Sequence, residues 1–348
     1  MDYAPHFTLM ASGFQLAGYM KNTVLVTGAN GHLGNNLVRA LVGKGEKVVA
    51  GIRNPANRVA LAGVECGIAQ IDLLDRASLV KGIAGVNVLY QVGAVFKHWA
   101  KNPEREIYQA NLQGTRNALE AAAEAGVQRI VYVSSLGALD RSRTPITETT
   151  WNPVRANVYF RSKTDSEKLA FELAEKLGLE LISVLPGAMI GENCFGMTPT
   201  MALFRTILDG KLPVNPGFFF NFVDVADIAE GCWLAATRGR PGERYLLANE
   251  NCTGIEEIIR IAQHEFPDRG IKIPPTPPRA LLRLLVSLME GVSKIRGVEP
   301  ELQRNYLTEF SIRESCDISK ARRELGFNPK PPREVIVNTL RYVAATKL

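Results

Sequence analysis

The stretch TVLVTGANGHLG, residues 23–34, constrains the fold of this chain more than any other. Its first residues, 23–26, are apolar or β-branched and predict a buried strand. Leucines and valines then recur at helical spacing over residues 33–42, which predicts a helix. Three glycines, Gly28, Gly31 and Gly34, lie between or at the ends of these elements. The chain therefore opens with a strand, a glycine-rich turn and a helix.

Each glycine of this turn has a physical use. Gly28 lets the chain turn off the strand, Gly31 lets a ligand approach the backbone, and Gly34 lets the helix lie close to the sheet. The helix N-terminus offers N–H groups and partial positive charge to a phosphate. The alternative is a tight turn that binds no ligand. On the binding interpretation the candidate cofactor contacts are Gly28, Asn30, Gly31, His32, Leu33 and Gly34.

Composition narrows the class of protein. With 46% hydrophobic and 22% charged residues, the chain is typical of globular proteins. The net charge of +6 is spread without a basic block, so we expect no nucleic-acid partner. The five cysteines are scattered, which predicts neither a disulfide framework nor a metal site. With no apolar run of about 18 residues and no signal peptide, we expect a cytoplasmic protein without a membrane partner.

Predicted strands and helices alternate along the chain. Further strands are predicted at Lys47–Ile52, Cys66–Ile71, Val86–Val92, Arg129–Ser134, Glu180–Leu185 and Glu243–Ala248, and helices at Glu104–Ala125, Val154–Leu177, Ala280–Met289, Asp317–Leu325 and Val335–Val343. This alternation predicts an α/β fold of the Rossmann type, a doubly wound parallel sheet with a smaller, mostly helical substrate lobe. We assign residues 1–20 to an N-terminal extension, 21–186 and about 221–250 to the sheet domain, and about 187–220 and 251–348 to the lobe.

The end of the second strand indicates the coenzyme. Where an NAD-preferring site places a carboxylate for the ribose hydroxyl, this chain has Arg53, with Arg58 further on. A guanidinium suits a 2′-phosphate, so we predict NADP(H), with NAD(H) as the alternative. Arg53 could equally be a solvated loop charge. Asp72, after the third strand, could accept from an adenine amino group or cap the helix that begins near Asp75.

Ligands of such sheets lie beyond the carboxyl ends of the strands. Gly28, Arg53, Asp72, Gly93, Ser135 and Pro186 all fall at such ends. This agreement carries more weight than any single motif. The remaining candidate cofactor contacts are Leu73, Ala94, Val133, Lys163, Ala188 and Met189.

Tyr159 and Lys163 lie four residues apart in a predicted helix, so their side chains share one face. A phenol is a poor base at neutral pH, and a nearby ammonium would lower its pKa. Ser135 would hydrogen-bond the same substrate oxygen and stabilise charge on it. The alternative is an ordinary surface Tyr and Lys.

Aromatic and apolar residues indicate a substrate cleft. Candidate substrate contacts are Phe96, His98, Trp99, Leu136, Phe195 and Phe220, although His98 and Trp99 could simply cover the sheet edge. Four arginines would suit a diphosphate-bearing sugar: Arg238, Arg240, Arg244 and Arg279. The apolar segment Ala280–Met289 is predicted to be a packed helix of the lobe, with a membrane-surface helix as the alternative.

The order of these motifs resembles the extended short-chain dehydrogenase/reductase family, from about Lys21 to the C-terminus. The matching pieces are TGANGHLG (27–34), Asp72-Leu73, NLQGTRN (111–117), VSS (133–135), Tyr159 to Lys163, Pro186-Gly187, FVDVADIA (222–229) and DISKARRELGF (317–327). The chain is most similar to dihydroflavonol-4-reductase-like reductases and to hopanoid-associated sugar epimerases. Where many relatives have His-Leu-Ala-Ala after the fourth strand, it has Gln91-Val92-Gly93-Ala94, which leaves the substrate open.

The resemblance implies a hydride-transfer enzyme, in which Tyr159 is the acid/base, Lys163 binds the nicotinamide ribose, Ser135 orients the carbonyl and Asn111 serves a proton relay. The leading hypothesis is NADPH-dependent reduction of a ketone or aldehyde, or the reverse reaction. The alternatives are a nucleotide-sugar epimerase/dehydratase with tightly bound NAD, and a non-catalytic protein on the same fold. A small-molecule substrate and a homodimer are expected.

Overall fold

The computed structural model describes residues 22–346 except 98, 299 and 301, so the predicted N-terminal extension lies outside the described residues. In chain order the strands are β1 (Thr23–Thr27), β2 (Lys47–Ile52), β3 (Gly67–Gln70), β4 (Val88–Gln91), β5 (Arg129–Val133), β6 (Glu180–Pro186), β7 (Ala188–Ile190), β8 (Phe219–Phe220), β9 (Phe222–Asp224), β10 (Arg244–Leu247) and β11 (Thr253–Gly254).

The helices flank these strands. They are α1 (His32–Gly43), α2 (Arg76–Ile83), α3 (Ala110–Glu124), α4 (Val158–Leu177), α5 (Pro199–Leu208), α6 (Val225–Arg238), α7 (Ile255–Glu265), α8 (Arg279–Arg296), α9 (Arg304–Glu309) and α10 (Pro332–Ala345). Short 3-10 turns occur at Val59–Leu61, Leu136–Ala138 and Pro267–Arg269, and π-helical turns at Glu104–Gln109 and Ala321–Leu325.

The main sheet has seven parallel strands in the order β10-β6-β5-β4-β1-β2-β3. Helices cover both faces, as the predicted Rossmann-type fold requires, and that prediction is confirmed. The strand order reverses between β1 and β4, which creates the crevice where such sheets bind ligands. Two small sheets, β7 with β9 and β8 with β11, lie outside the main sheet.

The backbone is tightly packed at this reversal. A Cβ on Gly28, whose φ is +65°, would lie 2.9 Å from the Gly93 Cα. A Cβ on Gly34 would lie only 2.1 Å from the Gly28 carbonyl oxygen. The Thr27 hydroxyl accepts hydrogen bonds from the backbone N–H groups of Val92 and Gly93, at 3.0 and 2.9 Å. Glycine is therefore required here by contact between β1, β4 and α1 as well as by any ligand.

Buried side chains form one cluster on each face of the main sheet. A separate cluster joins α5, α7 and α10, with Phe204, Ile258 and Leu340 among its members. This third cluster draws on both segments assigned to the substrate lobe. Residues 316–327 instead pack with the sheet, through Cys316, Ile318 and the group Ala321, Leu325 and Phe327. The domain division stays a prediction.

Several helix boundaries differ from the sequence predictions for local reasons. The helix predicted over Glu104–Ala125 divides into a π-helical turn and α3. α4 begins at Val158 rather than Val154, because the Asn157 side chain accepts from the Tyr159 and Phe160 N–H groups and caps the helix. The helix predicted over Asp317–Leu325 is mainly a π-helical turn.

A buried carboxylate fixes α4 on the sheet. Glu167, which is inaccessible to solvent, accepts from the hydroxyls of Ser134 (2.7 Å) and Ser183 (2.6 Å). The Arg244 guanidinium donates to both of its oxygens, at 2.9 and 3.0 Å, and stacks over the Trp151 ring at 3.7 Å. One residue therefore joins α4 to the end of β5 and to strands β6 and β10.

We expect Gly34→Ala to destabilise the fold by about 1–3 kcal/mol, because the new methyl group must displace backbone at the β1–α1 turn. The matched control is Gly43→Ala in the same helix, where a Cβ meets no atom within 4 Å. That change should be neutral or stabilising by up to about 1 kcal/mol. Urea unfolding of the two variants measures the difference, and equal stabilities would contradict the packing argument.

Candidate active site

A large cleft of about 1880 Å³ runs along the carboxyl ends of the strands. It brings together nearly all the residues proposed from sequence. Its walls include Gly28, Asn30, Gly31, His32, Leu33, Gly34, Arg53, Asp72, Leu73, Gly93, Ala94, Phe96, Asn111, Val133, Ser135, Leu136, Tyr159, Lys163, Pro186, Ala188, Met189 and Phe220. The strand-end argument therefore located one continuous cavity.

The turn after β1 fits the pyrophosphate of a dinucleotide. Gly31 is the N-cap of α1 and supplies no side-chain cap, and the first turn of α1 carries no acidic residue. The Asn30 side chain donates to the Asn57 carbonyl at 2.8 Å, while its buried Oδ1 has no hydrogen-bond partner within the described residues. The cradle thus presents backbone N–H groups without a competing carboxylate.

The far end of the cleft contains the predicted coenzyme selector. Arg53 is exposed and lines the cleft. Arg58 is not among the lining residues, and its Nε donates to the Pro55 carbonyl at 2.8 Å. Asp75, not Asp72, caps α2, so the capping alternative for Asp72 was wrong. Asp72 lines the cleft and accepts from the Leu74 N–H at 3.0 Å.

Tyr159, Lys163 and Ser135 meet in the middle of the cleft. Tyr159 and Lys163 lie one turn apart on α4 and are both buried. The Ser135 side chain lies near the Tyr159 hydroxyl and favours its ionised form. The Lys163 ammonium donates to the Val133 carbonyl at 2.9 Å. The arrangement places a phenol and a hydroxyl together at one point of the cavity wall.

Burial dominates the protonation of these groups. Desolvation raises the pKa of Tyr159, and the Ser135 side chain offsets part of that rise. Desolvation also lowers the pKa of Lys163 to about 8, opposed by the charge of Glu167 one turn further along α4. The expected lowering of the phenol pKa by the Lys163 ammonium was therefore wrong: burial raises this pKa, and Ser135 is the neighbour that opposes the rise. A protonated Tyr159 is a proton donor.

Asn111 has a positioning role in this structure. Its Oδ1 accepts from the Val95 N–H at 2.7 Å, and its Nδ2 donates to the Val95 carbonyl (3.2 Å) and to the Ser162 hydroxyl (3.0 Å). The side chain thus holds the loop after β4 against α4, close to Tyr159. The relay implied by the family resemblance stays a prediction.

The substrate side of the cleft is largely aromatic and aliphatic. Phe96 packs edge-on against Tyr159, with ring centroids 5.3 Å apart. Phe220 stacks near Phe310, at 5.0 Å. Sequence analysis missed most of this wall, which is formed by Leu203, Leu212, Phe218, Ile255, Leu302, Tyr306 and Phe310. These residues come from distant segments of the chain, so no local motif marks them.

Three of the predicted substrate contacts are not found among the described residues that line the cleft. His98 lies outside the described residues. Trp99 and Phe195 are not among the residues that line the cleft, so the cleft lends these two predictions no support. Phe195 lies beyond β7 on a loop and is 46% exposed.

A buried ion pair lies in the substrate wall of the cleft. The Arg141 Nε donates to Glu314 at 2.5 Å, and the guanidinium lies between the rings of Phe160 and Phe310. Outside the cleft lining, the carboxylate of Glu309 accepts from Asn157 at 2.6 Å. Burial raises the pKa of Glu309 to about 7.

The arginines considered for binding a diphosphate lie outside the cleft lining, and three of them bind other groups of the protein. Arg238 donates to the Leu325 carbonyl, Arg240 pairs with Glu324, and Arg244 binds Glu167. Neither these three nor Arg279 is among the residues that line the cleft. The four arginines therefore give no support to a nucleotide-sugar site in this cleft.

Comparison with known families matches residues 24–248 to the NAD dependent epimerase/dehydratase family. The chain belongs to this family. Its enzymes are the extended short-chain dehydrogenases/reductases, so the recognised resemblance is confirmed, as is an NAD(P)-dependent reductase or epimerase type of enzyme. The comparison leaves the particular reaction open.

Two curated relatives span nearly the whole chain. Sterol demethylase protein B of Methylococcus capsulatus is 34% identical over 92% of this chain and 98% of its own length. A putative dihydroflavonol 4-reductase of Synechocystis is 29% identical, over 93% and 95% respectively. The crystal structure of gox2253 superimposes with a TM-score of 0.79 and 30% identity, covering 93% of this chain and 98% of that one. Among the described residues, no helix is both long and apolar enough to cross a bilayer.

We expect Lys163→Met to stabilise the protein at pH 7, by an amount that shrinks at high pH. Below pH 8 the lysine is charged in both the folded and unfolded states, so its burial penalty is fully present. Between about pH 8 and 10.5 the folded state loses the proton first, which relieves about 3 kcal/mol of penalty in the wild type. Urea unfolding at several pH values measures this. Lys176→Met, at an exposed position of α4, is the control, and an equal pH response there would contradict the assignment.

Proposed function

We propose that the protein is an NADP(H)-dependent oxidoreductase that interconverts a bulky apolar ketone and its alcohol. The observation that carries this proposal is the position of the neighbouring Ser135 and Tyr159 side chains in the wall of the cleft. They lie where the glycine-lined half of the cleft meets the aromatic half. A carbonyl group bound there would face both a proton donor and the cofactor half of the cavity.

The dinucleotide, held at the turn after β1, would supply or accept the hydride. In the reducing direction, the Tyr159 hydroxyl donates its proton to the substrate oxygen as charge develops on it. Ser135 donates a hydrogen bond to the same oxygen, which orients the carbonyl and stabilises that charge. In the oxidising direction the phenolate form of Tyr159 accepts the proton of the alcohol.

Lys163 supports this proton exchange from the next turn of α4. Its buried ammonium is positioned by the Val133 carbonyl and lies on the same face of α4 as Tyr159. Its lowered pKa, about 8, allows it to change protonation near neutral pH at little cost. We propose that Lys163 also hydrogen-bonds the ribose next to the nicotinamide, as the family resemblance implies.

The aromatic half of the cleft, which we call the substrate chamber, favours binding of an apolar ketone over binding of a nucleotide sugar. Its wall is built mainly from phenylalanine, leucine and proline, and the guanidinium of Arg141 is already paired with Glu314. Lys97, Arg105 and Lys211 also line the cleft but are exposed to solvent. A diphosphate buried against the aromatic wall would therefore lose its water without gaining a buried cation, which is costly. The name of the Methylococcus capsulatus relative, a sterol demethylase protein, is consistent with a large apolar substrate.

We expect NADPH oxidation with a series of methyl ketones to show kcat/KM rising with alkyl size, by roughly fourfold for each buried CH₂. Tyr159→Phe should reduce turnover by about 100-fold or more and leave NADPH affinity nearly unchanged, because the ring is kept and only the proton donor is lost. Absorbance of the reduced nicotinamide and quenching of protein fluorescence measure the two quantities. An active Phe variant, or tight UDP-glucose binding with no ketone turnover, would contradict the proposal.

We expect Arg53→Ala to weaken NADPH binding by about tenfold or more and NADH binding much less, because only NADPH carries the 2′-phosphate. The matched control is Arg58→Ala, since Arg58 lies nearby in sequence but outside the cleft lining. Titration of each variant with both coenzymes decides the point. An equal loss for NADPH and NADH would assign Arg53 no role in coenzyme choice.

A further inference from the structure

Helix α8 carries a row of large apolar side chains that face solvent. Two of its apolar residues, Leu282 and Val286, are buried. Met289 is partly buried, and six others are exposed to between 40% and 88%: Leu281, Leu284, Leu285, Leu288, Val292 and Ile295. The predicted packing of this segment is therefore only partial. We call these six exposed side chains the α8 stripe.

The α8 stripe is continuous along the helix. At 100° per residue, its six positions fall within a sector about 100° wide. The buried positions Leu282 and Val286 lie on a different side of the same helix. An apolar sector of this width, extending over most of an 18-residue helix, is unlike the single exposed leucines of ordinary surfaces.

The charges of α8 complement an anionic surface. Residues 279–298 contain four basic residues and one acidic residue, Glu290. That carboxylate is bound by Arg304 of α9, at 2.8 Å. The side chains of Arg279, Arg283 and Arg296 are exposed and make no ion pair within the described part of the chain. Their long stems can reach along a bilayer surface while leucines enter it.

The α8 stripe also adjoins the substrate chamber. α8 packs beside α9, and the segment around α9 supplies Leu302, Tyr306 and Phe310 to the chamber wall. On the other side, the Asn215 N–H donates to the Pro275 carbonyl at 2.9 Å, which ties the chamber loop 212–216 to the proline-rich segment before α8. An apolar surface thus lies next to an apolar cavity.

We propose that α8 lies in the interface of an anionic lipid bilayer and brings the mouth of the substrate chamber to the membrane. The apolar stripe would enter the boundary between headgroups and acyl chains, and the exposed arginines would contact anionic headgroups. This proposal revises the expectation of no membrane partner. It concerns attachment to one surface of the bilayer, with no segment crossing it.

Charge distinguishes a bilayer from a second copy of this chain as the occupant. A symmetric dimer through two α8 stripes would bring together two helices that each carry a net positive charge, because such an interface repeats the same surface on both subunits. An anionic bilayer instead meets that positive charge with the opposite sign. The proposal needs no catalytic turnover, so its outcome is independent of the proposed reaction.

The test is co-sedimentation of the purified full chain with vesicles of phosphatidylcholine containing roughly one quarter phosphatidylglycerol. The wild type should bind these vesicles and bind pure phosphatidylcholine more weakly. Leu284→Glu with Leu288→Glu should lower the partition coefficient by about tenfold or more, because charge replaces apolar contact. Replacement of Arg279, Arg283 and Arg296 by Gln should lower binding to the anionic vesicles by about fivefold per residue and remove the preference for them.

Val59→Glu is the matched control, since Val59 is 67% exposed on the sheet domain, and it should bind as the wild type does. If the glutamate variants fail to fold by circular dichroism, the Gln variant still tests the charge requirement. Absence of wild-type binding to the anionic vesicles would overturn the proposal. So would an equal loss in Val59→Glu. A stripe variant that converts a dimer to a monomer in analytical ultracentrifugation but keeps vesicle binding would assign the α8 stripe to a second copy instead.

Discussion

The position of Tyr159 and Lys163 depends on the buried pair formed by Glu167 and Arg244. Glu167 lies one turn beyond Lys163 on α4 and receives four hydrogen bonds from three other segments of the sheet domain. A buried carboxylate whose hydrogen bonds are all formed holds its neighbours in one arrangement. Removal of one partner would leave a buried, unpaired charge, which destabilises the fold. Because Ser134, one of its donors, is adjacent to Ser135, the same contact fixes both the tyrosine helix and the serine that meets it.

Sequence patterns located the glycine-lined half of the cleft because its features are local. Gly28, Gly31 and Gly34 sit within seven residues, and Tyr159 and Lys163 share one helical turn. The alternation of strands and helices predicted the parallel sheet. The apolar wall was not predictable in the same way, since Phe218, Leu302 and Phe310 come together only through the tertiary fold. The suggestion that Arg244 could bind a diphosphate failed for the same reason. Its sequence context gives no sign of its partner Glu167, which lies 77 residues earlier in the chain.

The two halves of the cleft meet at the first turn of α4. Asn157 caps that helix and simultaneously donates to Glu309 at the end of α9. The cap is therefore shared between the helix that carries the reacting phenol and the element that bears Tyr306 and Phe310 of the chamber wall. Through this contact, the orientation of the phenol and the width of the chamber depend on one another.

The close backbone contact between Gly28 and Gly93 restricts which positions around the cleft can change. Backbone there touches backbone, and neither glycine has room for a side chain without movement of the sheet. Arg53, by contrast, is an exposed side chain after the neighbouring strand β2. Over evolutionary time the fold can therefore tolerate replacement of Arg53, while the turn after β1 must remain as it is. On the proposed function, the preference between two dinucleotides can change without any change in that turn.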